Sequence, residues 1–279
     1  MIRIATSSWT LHGTLGQVWY EPDGQGGAVS KSDVPSDAMP LLDLPAFVAK
    51  DGIKVLEITH FHFPRTDDAY LAQLKVALAD AEVELENVLV DTGNLSNPND
   101  EAWQADIDMT KRWQDIAVKL GAKGTRIDCG LEPPTSEARA RSAAALQQLA
   151  EYGASIGLTT TTENWRTTSV QPPDLLEILD NVDHPLKLCV DFGNAAKTAD
   201  KYDTLEKLMP LGTSLHCKGI FNDGVLDVDE FRRCLNIVKD ANFDGHIALI
   251  YDKYDDEWDK VLTLKTEVEA FFTEAGLLN

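Results

Sequence analysis

Eight times along this chain a short run of apolar and β-branched residues gives way to a stretch with apolar residues three and four apart. The short runs fall at 2–7, 54–58, 83–90, 123–128, 158–163, 186–191, 214–219 and 246–251. The helical stretches fall at 44–50, 67–80, 100–120, 135–156, 172–179, 205–209, 229–241 and 257–275. Asp100 stands where a cap is expected, Gly121 and Gly157 stand where helices end, and prolines open the stretch at 172. Strand and helix in alternation imply a parallel sheet. Eight such units in 279 residues, without a linker, favour a single-domain α/β fold closed into a (β/α)8 barrel. An open doubly wound sheet is the alternative, but no GxGxxG follows the first run. One connection stands out. Residues 11–40 contain EPDGQGG and SKSDVPSD and are too long for a simple link, so a lid or a disordered tip is expected there.

Composition narrows the partners. A hydrophobic content of 43% suits one large core, and a net charge of −21 leaves no cluster of Lys and Arg for nucleic acid or an anionic membrane. No apolar run is long enough to span a bilayer, and MIRIATSSWT lacks the pattern of a secretion signal, so a cytoplasmic location is the expectation. The four cysteines, Cys129, Cys189, Cys217 and Cys234, form no CxxC pair. They read as buried free thiols, and a zinc site built of thiolates is not expected.

The chemistry is expected at the strand ends, because a barrel of this kind keeps its reactive groups at the C-terminal mouth. LTTTTENWR carries Glu163 to the end of the fifth run, LKLCVDFGN carries Asp191 to the end of the sixth, and SLHCKG carries His216 and Lys218 on the seventh. Two carboxylates and an imidazole at successive strand ends suit a divalent metal such as Mg²⁺, Mn²⁺, Co²⁺ or Zn²⁺. Taken singly, each acid has a plainer role as a helix cap or a rim salt bridge. Their common register favours metal ligation by Glu163, Asp191 and His216.

At these residues the chain resembles the xylose-isomerase-like TIM barrel superfamily of sugar phosphate isomerases and epimerases, which also includes endonuclease IV. The marks are SSWTLH, LGAKGTRIDCG, TTENW, CVDFGN, LHCKG and DGHIALIYD, in that order. The resemblance implies a metal at the barrel mouth held by Glu, Asp, His and Glu on strands five to eight. Glu163, Asp191 and His216 match the first three, and the fourth falls on Ile250, which can neither bind metal nor move a proton. The metal is therefore expected to be weak or absent. Asp252 shares a strand face with that position, with rim exposure as its plainer role. Trp165 and Asn194 stand where many relatives have histidines. Lys218 fits a His-x-Lys pattern and could hold a sugar oxygen, or pair with Asp223 at the rim.

Further candidates follow. His60 and His62, just after the second run, could act as bases or lie in a solvated loop. Trp9 and Trp165 could stack on a sugar ring, His12 could touch it, and Asp91 and Asn94 could bind hydroxyls or make an Asx turn. Arg126 and Asp128 read as a structural ion pair, and His184 and His246, at the barrel bottom, are given no catalytic role. The expected function is a sugar or polyol isomerase or epimerase that moves the proton next to a carbonyl with metal assistance. The alternatives are a C-glycoside deglycosidase or lyase barrel, or a non-catalytic sugar-binding barrel. A small-molecule sugar or polyol is the expected partner, with room for a homo-oligomer or a small second subunit.

Overall fold

The computed structural model describes residues 2–21 and 28–278. Eight parallel strands close into a barrel: β1 (Arg3–Ser7), β2 (Val55–Thr59), β3 (Glu84–Val90), β4 (Gly124–Ile127), β5 (Thr159–Glu163), β6 (Lys187–Asp191), β7 (Gly212–Lys218) and β8 (His246–Ile250). Closure brings Ile4 beside Ile247 and Thr6 beside Leu249. One helix follows each strand on the outside: α1 (Leu44–Ala49), α2 (Asp68–Asp80), α3 (Asp100–Leu120), α4 (Ser136–Ser155), α5 (Pro172–Asp180), α6 (Lys201–Leu208), α7 (Val228–Asp240) and α8 (Glu257–Glu274). The fold is the single-domain (β/α)8 barrel expected from the alternation.

Local chemistry sets the element ends. Asn99, rather than Asp100, caps α3, because its backbone is still extended and its side chain accepts from the Ala102 N–H. Gly121 closes that helix at φ +80°, a left-handed conformation that glycine adopts without strain. Helix α6 begins earlier than its apolar spacing suggests, because Asp200 accepts from the N–H groups of Tyr202 and Asp203.

Residues 11–40 are not a structureless connection. A one-turn helix, His12–Leu15, leads into a hairpin that pairs Gln17–Glu21 with Ala28–Asp33. Val18 and Tyr20 are buried, and the Tyr20 hydroxyl donates to the Phe63 carbonyl at 2.6 Å. The base of the hairpin is thereby fixed to the turn after β2. The expected lid or disordered tip falls partly on residues 22–27, which lie outside the described residues.

The core has two unlike parts. Between strands and helices runs a continuous apolar layer that includes Trp113, Phe192, Phe231 and Phe272. Inside the barrel lies a small apolar cluster of Ala5, Val55 and Ala248. Polar groups share that interior: Glu57, Asn87, His216 and His246 are all buried and hydrogen-bonded to one another through Glu57. Strand parity explains this, since Val55, Glu57 and Thr59 share one face of β2. Among the described residues no helix is long and apolar enough to cross a membrane.

Candidate active site

Glu163, Asp191 and His216 lie at the C-terminal ends of β5, β6 and β7, and the register sets Asp191 directly beside His216. Asp191 also caps the short turn Phe192–Ala195. Its Oδ1 accepts from the Asn194 N–H at 2.7 Å, which fixes the carboxylate plane. From the same turn the Asn194 side chain donates to Glu163 Oε1 at 2.8 Å. Each carboxylate thus has one oxygen held by hydrogen bonds and one that is ion-paired: Glu163 Oε2 with Arg126 and Asp191 Oδ2 with Lys218, both buried. These two oxygens sit 3.4 and 3.5 Å from His216 Nδ1.

The opposite nitrogen of His216 decides how this point can be filled. Nε2 lies 3.0 Å from Glu57 Oε2, while Glu57 Oε1 takes hydrogen bonds from Asn87 Nδ2 at 2.7 Å and from His246 Nε2 at 3.0 Å. Donating Nε2–H to Glu57 leaves Nδ1 facing two carboxylate oxygens. A lone pair there would be repelled, so a positive centre belongs at that point, either a proton on Nδ1 or a cation. Without a cation the proton is strongly retained. Burial would lower the imidazole's pKa, but its interactions with Cys189, Glu163 and Glu57 hold it well above its ordinary value. Ligands about 2.1 Å from one tetrahedral ion stand roughly 3.4 Å apart. The spacing of the two carboxylate oxygens about Nδ1 and the carboxylate behind the imidazole therefore fit a divalent ion. Glu57 resists the upward push of burial, and the imidazoles of His216 and His246 hold its carboxyl well below the usual range.

Two cations flank this point. Lys218 Nζ is 3.1 Å from Asp191 Oδ2 and 2.9 Å from Asp252 Oδ2, not beside Asp223. Burial would lower the ammonium's pKa, but Asp191, Asp252 and Glu163 hold it above its ordinary value. The same pairing outweighs burial at Asp191 and keeps its carboxyl below the ordinary value. Arg126 is buried between Asp91, which its Nη1 contacts, and Glu163 Oε2, 2.9 Å from its Nε. It is therefore not the partner of Asp128, which takes Arg166 at 3.2 Å. Burial and the nearby Asp91 outweigh the Arg166 and Arg126 cations and push the Asp128 carboxyl up to about 6. Arg166 has φ +62°, uncommon for a residue other than glycine, and its guanidinium lies 3.8 Å from the Trp165 ring centroid. Arg126 lies 5.1 Å from the same ring.

A cavity of about 90 Å³ opens over these groups. Of the residues singled out in the sequence, Glu163, Asp191, His216, Lys218, Trp9, Trp165 and Asn194 line it. Ile250, 2% exposed, forms an apolar wall. Asp252 sits at the rim with its side chain 48% exposed, and its oxygens are taken by Trp9 Nε1 at 3.0 Å and by Lys218. It does not stand in for the carboxylate that Ile250 lacks.

Five expected contacts lie elsewhere. His60 and His62 are buried in the turn after β2 and do not line the cavity. His60 Nδ1 accepts from the Asp91 N–H at 3.1 Å, and His62 is held between Ser8 Oγ at 2.7 Å and His12 Nδ1 at 3.2 Å. Burial pushes His60 down to about 4 and His62 well below its ordinary value, so both are neutral spacers at pH 7. His12 packs edge-on against Trp9, with centroids 4.7 Å apart, and is pushed down to about 4, chiefly by burial. Asp91 is occupied by Arg126, and Asn94 makes the Asx turn, its Oδ1 accepting from the Ser96 and Leu131 N–H groups. Sequence reasoning passed over Glu57 and set His246 aside, though His246 is a partner of Glu57. The available signal was an acid inside the apolar run KVLEI, since an acid is almost never fully buried unless paired.

Solved structures share this architecture. An L-ribulose 3-epimerase superposes with a TM-score of 0.72 at 14% identity, covering 99% of this chain and 98% of the other. A D-allulose 3-epimerase from Methylomonas sp., in complex with D-allulose, gives 0.69 at 17% identity, with 95% and 96% covered. A xylose isomerase-like TIM barrel protein from Mycobacterium smegmatis, in complex with magnesium, gives 0.69 at 14% identity, with 97% of each covered. No curated protein matches the chain. At such identities the likeness is one of fold, but the model of the xylose isomerase-like TIM barrel family matches residues 45–269, which take in β2 through β8. The chain therefore belongs to the xylose isomerase-like TIM barrel family.

Proposed function

We propose that this barrel is a divalent-metal-assisted enzyme of the isomerase or epimerase kind, acting on a sugar or polyol and moving one proton next to a carbonyl. The observation that carries this reading is the convergence of Glu163 Oε2, Asp191 Oδ2 and His216 Nδ1 beneath an open cavity. Those three residues would hold the ion, which when bound supplies Lewis-acid polarisation of a substrate oxygen. Glu163, steadied by Asn194, is placed to take the proton next to the carbonyl from one side. Lys218 can donate to a substrate oxygen, and Trp9 and Trp165 offer ring faces to the C–H side of a sugar. Ile250 offers no second base on its side of the cavity. This favours proton transfer on one face, as in isomerisation or eliminative cleavage, over inversion between two bases. A C-glycoside lyase is the second reading supported by the same one-sidedness.

The test is solvent deuterium exchange, followed by NMR on a panel of ketoses and 3-oxo glycosides, with metal-free protein and after adding Mn²⁺, Mg²⁺, Co²⁺ or Zn²⁺. Metal-dependent exchange at one carbon without epimer formation is expected. Sugar binding without exchange on any compound would leave a binding barrel instead.

A further inference from the structure

We infer that Cys189 is a ligand of the site's ion, so that a thiolate supplies the fourth protein donor and favours a borderline-soft ion such as Zn²⁺ or Co²⁺ over Mg²⁺. This rests on the metal reading above and adds the ligand and the class of ion.

Donor atoms of Cys189, Glu163 and His216 all lie within 4.8 Å of one another, and all three residues are buried. Ligands at about 2.3 Å for sulfur and about 2.1 Å for oxygen or nitrogen can stand no more than roughly 4.4 Å apart across one ion. Small side-chain shifts therefore bring the set onto a single centre. The backbone already supports this. Cys189 precedes Asp191 by two residues on β6 and so shares its inward face, and the register sets it beside Glu163.

The other thiols differ in placement. Cys129, Cys217 and Cys234 pack in the apolar layer between strands and helices, and Cys189 is not part of that layer. A second observation points to a ligand independently of the thiol. Glu163 Oε2 and Asp191 Oδ2, in residues only 2% and 1% exposed, converge on His216 Nδ1 at 3.4 and 3.5 Å, with Arg126 and Lys218 as their ion-pair partners. On the remaining side Ile250 supplies no donor atom to the ion. Binding exchanges the thiol proton for the metal: one S–H bond breaks, one S–metal bond forms, and one proton goes to solvent with no change of oxidation state. Thiolate suits zinc and cobalt, whereas magnesium prefers oxygen.

The test uses the whole chain, stripped with a chelator and titrated with Co²⁺ while its absorption spectrum is followed. One cobalt per chain should appear with a sulfur-to-cobalt charge-transfer band in the near ultraviolet. Cys189→Ser should lose that band, and its zinc affinity should fall by more than the roughly 10- to 100-fold that loss of an outer partner costs, with magnesium affinity unchanged. Cys217→Ser should keep the band. Stoichiometric cobalt without the band in the native chain overturns the thiolate ligand and leaves the metal site standing, and this outcome does not depend on whether the Cys189 variant folds. A band that survives in folded Cys189→Ser also overturns it. No cobalt binding at all, by calorimetry, brings down both this inference and the metal reading.

Discussion

Replacing Ile250 by glutamate tests the geometry of the mouth directly. Ile250 ends β8 beside Lys218, faces the cavity and is 2% exposed. In metal-free protein the change loses about 1.5–3 kcal/mol of apolar burial and sets a third carboxylate near Glu163 and Asp191. Offset in part by Lys218, a net loss of about 3 kcal/mol should lower the melting temperature by roughly 5–10 °C. With a divalent ion present the sign reverses. Unit charges about 4 Å apart attract by about 4 kcal/mol at the effective dielectric of a protein site, hence about 8 kcal/mol for a dication. Desolvation of the carboxylate takes back several kcal/mol. A net gain of about 2–4 kcal/mol corresponds to binding roughly 30- to 1000-fold tighter. Calorimetry with Mn²⁺ and Mg²⁺ on stripped protein measures this, and melting with and without the ion checks it. Unchanged or weaker affinity in a folded variant would show that position 250 does not face the ion.

Glu57→Gln leaves His216 and His246 without their shared carboxylate. Unfolding in denaturant should show a loss of about 3–5 kcal/mol, and metal affinity should fall about 10- to 100-fold; an unchanged affinity would deny Glu57 its role behind His216. Trp165→Ala removes an aromatic ring from the cavity wall, and sugar affinity by calorimetry should weaken by up to about tenfold with metal affinity intact. Acid should destabilise the fold before ordinary carboxylates titrate. His12 and His60 are pushed down to about 4, and His62 is also lowered, so between roughly pH 6.5 and 4 the unfolded chain binds more protons. The contribution of these three rings is then full above about pH 6.5 and falls on acidification by about 1.4 kcal/mol per pH unit for each imidazole. Asp128, pushed up to about 6, works in the opposite sense and offsets part of this. Equal denaturation midpoints at pH 7 and pH 5 would contradict the burial of these rings.

The barrel and the placing of three residues of its candidate site could be read from local pattern. Strand and helix periods are properties of neighbouring residues, and the strands observed fall within a residue or two of the runs that suggested them. The C-terminal strand ends then put Glu163, Asp191 and His216 at one mouth, because parallel strands around a barrel share a direction. Partners distant in the chain could not be read in this way. Glu57 looked like an ordinary strand residue until closure of the barrel set it against His216, 159 positions away. Arg126 seemed to belong with nearby Asp128, but the strand ends at Ile127, and Arg126 reaches Asp91 and Glu163 at the ends of the neighbouring strands while Asp128 takes Arg166. His60 and His62 follow a strand like the other site residues, yet a short turn folds them beneath the mouth and their ring nitrogens are used there. Asp252 had the parity to point inward, but β8 ends at Ile250, and beyond it Trp9 and Lys218 hold the carboxylate at the rim. Periodicity settles which residues are strand and which are helix. Which of them meet depends on how closure, register and turns superpose chain segments that carry no local record of one another.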